Sequence, residues 1–175
     1  MDENIPDLST GTSLPKEDDV YRIVLVTQRD RKNKSIPAVS CFSLSPQDQN
    51  KLSVDWSKMT TPEVSIARFG AMYKFHSTDF KPYDNREIYA LNIDFLHSFT
   101  VIEDVVHDPI CINPPELGSV SNPAHSLIVF SAAFKSDQAM QPEVLLKIRD
   151  HAKDRKVEID WEKTEQLVKK LRKEE

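Results

Sequence analysis

Glycine is scarce, with three residues in 175, and no two are close together. The phosphate-cradling turns of P-loop and dinucleotide-binding folds need several glycines within a few positions, so both are excluded. Cysteine is scarcer still: Cys41 and Cys111 stand 70 positions apart and match no zinc-ligand spacing. No apolar run approaches the ~18–20 residues of a membrane span, and the N-terminus has no apolar signal core. The expectation is an unsecreted, cytoplasmic protein with both thiols reduced and no membrane partner. An excess of positive charge is also missing. Lys and Arg total 23 against 28 Asp and Glu, a net charge of −5, which excludes a broadly basic nucleic-acid wrapper but leaves room for a local basic patch.

What is present is enough for one hydrophobic core, since 39% of the residues are hydrophobic. The acidic balance is uneven. Residues 1–19 hold six acids (Asp2, Glu3, Asp7, Glu17, Asp18, Asp19) and one base, Lys16, so the rest of the chain carries 22 bases and 22 acids. With Pro6, Gly11 and Pro15 and few apolar side chains, residues 1–19 are expected to form a flexible acidic tail. Such a tail either solubilises the chain or folds onto a partner's basic groove. The opposite charge is concentrated in Arg29, Arg31, Lys32 and Lys34, opposed only by Asp30. This loop is either a solvated tip or a phosphate contact, and it has no aromatic side chain for base stacking.

Hydrophobic periodicity predicts strands at Val20–Thr27, Pro37–Leu44, Leu52–Trp56, Glu87–Phe95, Phe99–Val106 and Ser126–Phe130. Helices are expected at about 61–72, where Thr61 caps and Pro62 takes the first turn, from Gln141 through Ala152, and at 160–173 behind Asp160. Residues 110–125 carry Pro114, Pro115, Gly118 and Pro123 and read as a long loop. The fold class is α+β: a mostly antiparallel sheet with one inserted helix and two C-terminal helices. The chain divides into the tail 1–19, a single α+β domain at 20–159 and a charged C-terminal helix at 160–175.

Two polar constellations carry chemistry. His107 and Asp108 end one predicted strand, while Asn122, His125 and Ser126 open the next. Antiparallel neighbours would bring them to one rim of the sheet, with the loop between them overhanging as a lid. An imidazole facing a carboxylate has its tautomer fixed and suits general acid–base work. His125 is the candidate acid/base and Asp108 or His107 its orienting partner. The bland alternative is turn chemistry, with Asp108 and Asn122 preceding prolines and His125 bonded to a carbonyl. The second constellation places Ser53 and Asp55 on the polar face of one strand, with Ser40 and Arg22 alongside. A guanidinium on the nearly apolar strand Val20–Thr27 needs a counter-charge: either Asp55, as a structural salt bridge, or a bound anion. Arg22, Ser40 and Asn122 are the candidate substrate contacts. The spacing of His107, Asp108 and His125 is not that of a familiar metal site, and no cofactor is expected.

The set Ser40-x-Phe42, Leu52 to Asp55 (LSVD), Pro62-Glu63, Asp108-Pro109 and Asn122 to Ser126 (NPAHS) resembles a group of short bacterial proteins of no assigned function. The likeness covers about residues 20–130 and implies a bacterial cytoplasmic protein without implying an activity. The residues themselves point to a metal-independent enzyme acting on RNA, a nucleotide or another anionic substrate, as toxins and defence components do. The alternative is a non-catalytic module or small subunit of an operon-encoded complex, docking through residues 1–19 or 160–173. A metal-dependent hydrolase using His107, Asp108 and His125 stands behind both.

Overall fold

The structure is a computed structural model, and it describes residues 9–44, 50–72, 85–111, 120–136 and 140–171. Among these, six strands form one open antiparallel sheet in the order β4-β5-β2-β1-β3-β6. The strands are β1 (Asp19–Leu25), β2 (Lys51–Trp56), β3 (Arg86–Asn92), β4 (Ile102–His107), β5 (His125–Phe130) and β6 (Lys156–Val157). The helices are α1 (Pro62–Met72), α2 (Ile93–His97), α3 (Ala132–Ser136), α4 (Met140–Lys153) and α5 (Trp161–Leu171). This is the α+β architecture expected from strand-like runs preceding C-terminal helices. No described helix is long and apolar enough to cross a membrane.

Alternation along the strands divides the apolar side chains between two faces. One face carries Val20, Val24, Leu52, Val54, Trp56, Tyr89, Leu91 and Ile128, packed with Val144, Leu145 and Ile148 of α4. Burying each large aliphatic side chain there contributes about 1.5–3 kcal/mol before chain entropy is counted. The other face carries Ile88, Tyr21 and Ile23 under Ile66 and Ala67 of α1 and Val168 of α5. The apolar stripe of α5 is thereby spent on its own domain.

Helix starts follow local chemistry. Thr61 Oγ1 accepts from the Val64 amide at the head of α1, and Asp160 Oδ1 accepts from the Lys163 amide at the head of α5. Capping also explains one departure from periodicity. The alternating run from Glu87 leaves the sheet at Asn92, whose side chain accepts from the Phe95 amide and opens α2. Residues 93–95, expected in the strand, are therefore helical. The segment Pro37–Leu44 is not a strand either. It forms a 3-10 turn at Val39–Phe42 that buries Cys41 and Phe42, so Phe42 reaches the core from a turn and leaves no ladder to fill.

The N-terminal segment needs a correction. Residues 9–19, expected within a flexible tail, are held on the sheet: residues 11–14 run along the edge of β4, and the Lys16 and Asp18 carbonyls accept from the Asp94 and Ile93 amides of α2. Gly11 donates to the His107 carbonyl and the His107 amide donates to Thr12. Ser13 bridges to Val106, Leu14 is buried, and Asp19 already belongs to β1. Asp18 is buried where its carboxylate accepts the Trp56 indole N–H at 2.9 Å. Composition suggested disorder, but edge pairing and one anchored indole supply what a count of apolar residues misses. Residues 1–8 lie outside the described residues.

Candidate functional site

The ladder between β1 and β2 is short. It pairs Val20 with Trp56 and Tyr21 with Asp55, whereas β1 pairs with β3 along its whole length. Beyond Tyr21 the two strands part, and a hollow of about 310 Å³ lies beside the parting on the α1 side of the sheet. Tyr21, Asp55 and His125 form one row across its floor, because Asp55 is the register partner of both Tyr21 and His125. Helix α1 forms one wall with Ser65, Arg68 and Phe69, and Ile110 and Asn122 form another.

Asn122 organises the polar side of the hollow. Its Nδ2 donates to Asp55 Oδ1 at 2.7 Å. Its Oδ1 accepts from Arg68 Nη1 and from the Ala124 amide, both at 3.2 Å. Two donors facing one amide atom and an acceptor facing the other fix its orientation. Asp55 is only 6% exposed, so this bond replaces lost hydration. Burial draws the pKa of the Arg68 guanidinium below its ordinary value, and the Asp55 charge opposes that shift. Tyr21 titrates above the usual phenol range, through burial first and then through the carboxylates of Asp19 and Glu63.

His125 begins β5 opposite Asp108, whose amide donates to the His125 carbonyl. The ring Nδ1 lies 2.7 Å from the Asp108 carbonyl oxygen and 3.5 Å from its carboxylate. A carbonyl only accepts, so Nδ1 carries the proton and Nε2 is left as a base. Among the described residues Nε2 has no hydrogen-bond partner. The imidazole lines the hollow with Asn122, Asp55 and Ser53.

The sequence candidates thus separate. Arg22, Ser53, Asp55, Asn122 and His125 line one hollow, and Asp108 backs His125. His107 does not join them. It pairs with Ser126 rather than with His125, so its side chain points to the opposite face, where it is buried with its ring centroid 6.1 Å from that of Trp56. His107, Asp108 and His125 therefore do not converge as a ligand set, and no cluster of three or more metal-ligating side chains occurs among the described residues. The Arg22 guanidinium donates to the main-chain carbonyls of Cys41 and Ser53 at 3.1 and 2.8 Å. It stitches the parted strands together, a role the expected Asp55 salt bridge does not describe.

Ser40 is exposed on the 3-10 turn and lines a separate, wider hollow of about 650 Å³ with Arg29, Arg31 and Lys32. The charges there are largely committed to the fold: Arg29 binds Glu87 at 2.6 Å, and Asp30 binds Arg149 at 3.1 Å. The smaller hollow is the better candidate because it combines a buried carboxylate with an imidazole that has an unspent nitrogen. The stretch 110–121, expected as a lid, lies largely outside the described residues, although Ile110 pairs with Asn122 and is 37% exposed beside the hollow.

Sequence reasoning missed Arg68, Ser65 and Tyr21. Arg68 had a signal. It sits in the apolar stripe Val64, Ala67, Ala71 of α1, and a cation on an apolar helix face raises the same question as Arg22 on an apolar strand. Compared with known protein families, with curated proteins and with solved structures, the chain matches none.

Proposed function

We propose that the hollow between α1 and the β1–β2–β5 floor is the reaction centre of a metal-independent enzyme acting on RNA, a nucleotide or another small anionic substrate. The observation that carries this reading is His125: its Nδ1 proton is committed to Asp108, and its basic Nε2 belongs to the same hollow as Arg68. Arg68 sets a guanidinium on this face against the single carboxylate of Asp55. Arg22 also borders the hollow, but it pairs with Tyr89 on the face of Val20 and Val24, and its guanidinium donates to the Cys41 and Ser53 carbonyls. A volume of about 310 Å³ is at the small end of ligand sites and suits a nucleotide-sized group. In this reading Nε2 removes a proton from a substrate hydroxyl, and Arg68 and Asp55 hold the substrate in place beside it. Asp108 keeps the imidazole in the correct tautomer.

The non-catalytic alternative has less to stand on. Residues 9–14 are spent on the β4 edge, and α5 packs Thr164 and Val168 inward. Outward, α5 shows polar and charged side chains and one exposed large hydrophobic side chain, Trp161, 40% exposed. The deciding experiment incubates the full chain, with a chelator present, with single-stranded RNA and with nucleotides, and follows products by mass spectrometry. Turnover is expected for the wild type, with a loss of about 100-fold or more for His125→Ala at unchanged melting temperature. Equal turnover by His125→Ala, or none by the wild type on any substrate, removes the catalytic reading.

A further inference from the structure

Asp55 and Arg68 are held one amide group apart, and both have hydrogen-bonding capacity unspent. Asp55 is buried, with Oδ1 bonded to Asn122, and its second oxygen has no hydrogen-bond partner among the described residues. Arg68 spends Nη1 on Asn122 and carries further N–H donors in its planar fork. Asn122 cannot turn over to serve either neighbour differently, because the Ala124 amide also holds its oxygen. The hollow therefore presents a carboxylate acceptor beside a guanidinium donor, with Ile23, Phe69 and Ile110 as apolar walls. A planar group with two adjacent donors, followed around its rim by two adjacent acceptors, would complete both.

Of the four common nucleobases only guanine has that order. Its N2 and N1 hydrogens are neighbouring donors, and O6 and N7 are neighbouring acceptors. Adenine and uracil alternate donors with acceptors, and cytosine offers a single donor group. An arginine bidentate to O6 and N7 is the commonest guanine contact, and a carboxylate is the complement of an N–H pair.

We propose that this hollow recognises guanine, with Asp55 accepting from N1 and N2 and Arg68 donating to O6 and N7. The proposal rests on the nucleotide reading above and adds the identity of the base. A carboxylate buried this deeply would be left without a partner by a base lacking the donors, which is how such sites reject near isosteres.

Calorimetric titration of the full chain with GMP, AMP, CMP, UMP, IMP and 7-deaza-GMP tests it atom by atom. GMP is expected to bind about tenfold or more tightly than the other three common nucleotides. IMP, lacking the N2 amine, and 7-deaza-GMP, lacking the N7 acceptor, should each lose about tenfold. Asp55→Asn should abolish the GMP–IMP difference and leave the 7-deaza effect. Equal affinity for the four common nucleotides overturns the guanine assignment while the nucleotide reading stands, and no binding by any of them overturns both. The wild-type comparison of GMP with IMP needs no variant, so it decides the question even if Asp55→Asn fails to fold. A GMP–IMP difference that persists in folded Asp55→Asn also overturns the assignment.

Discussion

The imidazole Nδ1 of His125 lies 2.7 Å from the main-chain oxygen of Asp108, seventeen residues earlier in the chain. Because the acceptor is a carbonyl, the bond selects one tautomer whatever the state of the neighbouring carboxylate. Nitrogen-detected NMR on labelled protein should find the proton of the neutral ring on Nδ1. A dominant Nε2–H form would leave no base on the hollow. Asp108→Asn should leave this tautomer in place, because the side chain is not the main acceptor.

Removing the Asn122 amide should destabilise more than its place in a turn suggests. Asn122→Ala strips the Nδ2 donor from Asp55 Oδ1 and the Oδ1 acceptor from Arg68. Leaving a buried carboxylate short of a donor costs about 1–3 kcal/mol. Urea unfolding measures that loss. The pair Asn122→Ala and Asp55→Ala should be non-additive, since the second change removes the group that the first left stranded. Simple additivity would show that the two side chains act independently.

His107 offers the opposite case. It is 3% exposed, and its Nδ1 is a buried atom with no hydrogen-bond partner among the described residues. Burial lowers its pKa; the His125 ring acts in the same direction and Asp108 opposes it. The folded state therefore holds the neutral ring. The associated stability is present above the unfolded-state value, roughly pH 6.5, and is lost as pH falls below it. His107→Phe keeps a ring against Trp56 and removes the stranded nitrogen. Its unfolding free energy at pH 7 should stay within about 1 kcal/mol of wild type or rise, and its stability should fall less between pH 7 and 5. A large loss at pH 7 would mean that the imidazole makes a bond essential to the fold.

Glu87 predicts a second, more acidic limb. Its carboxylate accepts from Arg29, Lys156 and the Tyr89 hydroxyl. Burial pushes its pKa up, but these three bonds prevail and hold it at about 2. The same pairing takes the Tyr89 phenol up to about 12, with burial as the larger cause. The folded value of Glu87 lies below the unfolded one, so its stabilisation is complete above about pH 4.5 and is lost as pH falls toward 2. Glu87→Gln should lower stability at pH 7 by about 2 kcal/mol and flatten the acid denaturation curve over that interval. An unchanged acid limb would show that this carboxylate does not govern it.

Much of the frame was legible in the residues. Val20–Thr27 and Leu52–Trp56 announced strands by β-branching and alternation. Pro62 behind Thr61, and Asp160 before an apolar stripe, announced helix starts. Such signals are local, because period and capping act within a turn or two. Half of the site was legible in the same way: His125 beside Asp108 followed once two strands were set antiparallel. The turn at Val39–Phe42 and the exit from β3 at Asn92 were not legible, since an apolar run suits a buried turn as well as a strand. Nor was the packing of residues 9–14 on β4, where main-chain bonds, which carry no mark of side-chain type, do the holding.

The amino-acid order by itself determined the α+β class, the absence of glycine-cradled phosphate sites, and the positions where polar side chains interrupt apolar elements. Only the tertiary structure decided which of those interruptions meet. A shift of one residue in register moves a side chain through the sheet, and that single step sends His107 to Trp56 and His125 to Asp55. Arg68 joins them from a helix that precedes His125 by more than fifty residues, because α1 must cover Ile88 and Ile23 and thereby sets its guanidinium over Asn122. Packing of apolar faces is cooperative and long-range, so it fixes the chemistry of a site whose members carry no sequence mark of belonging together.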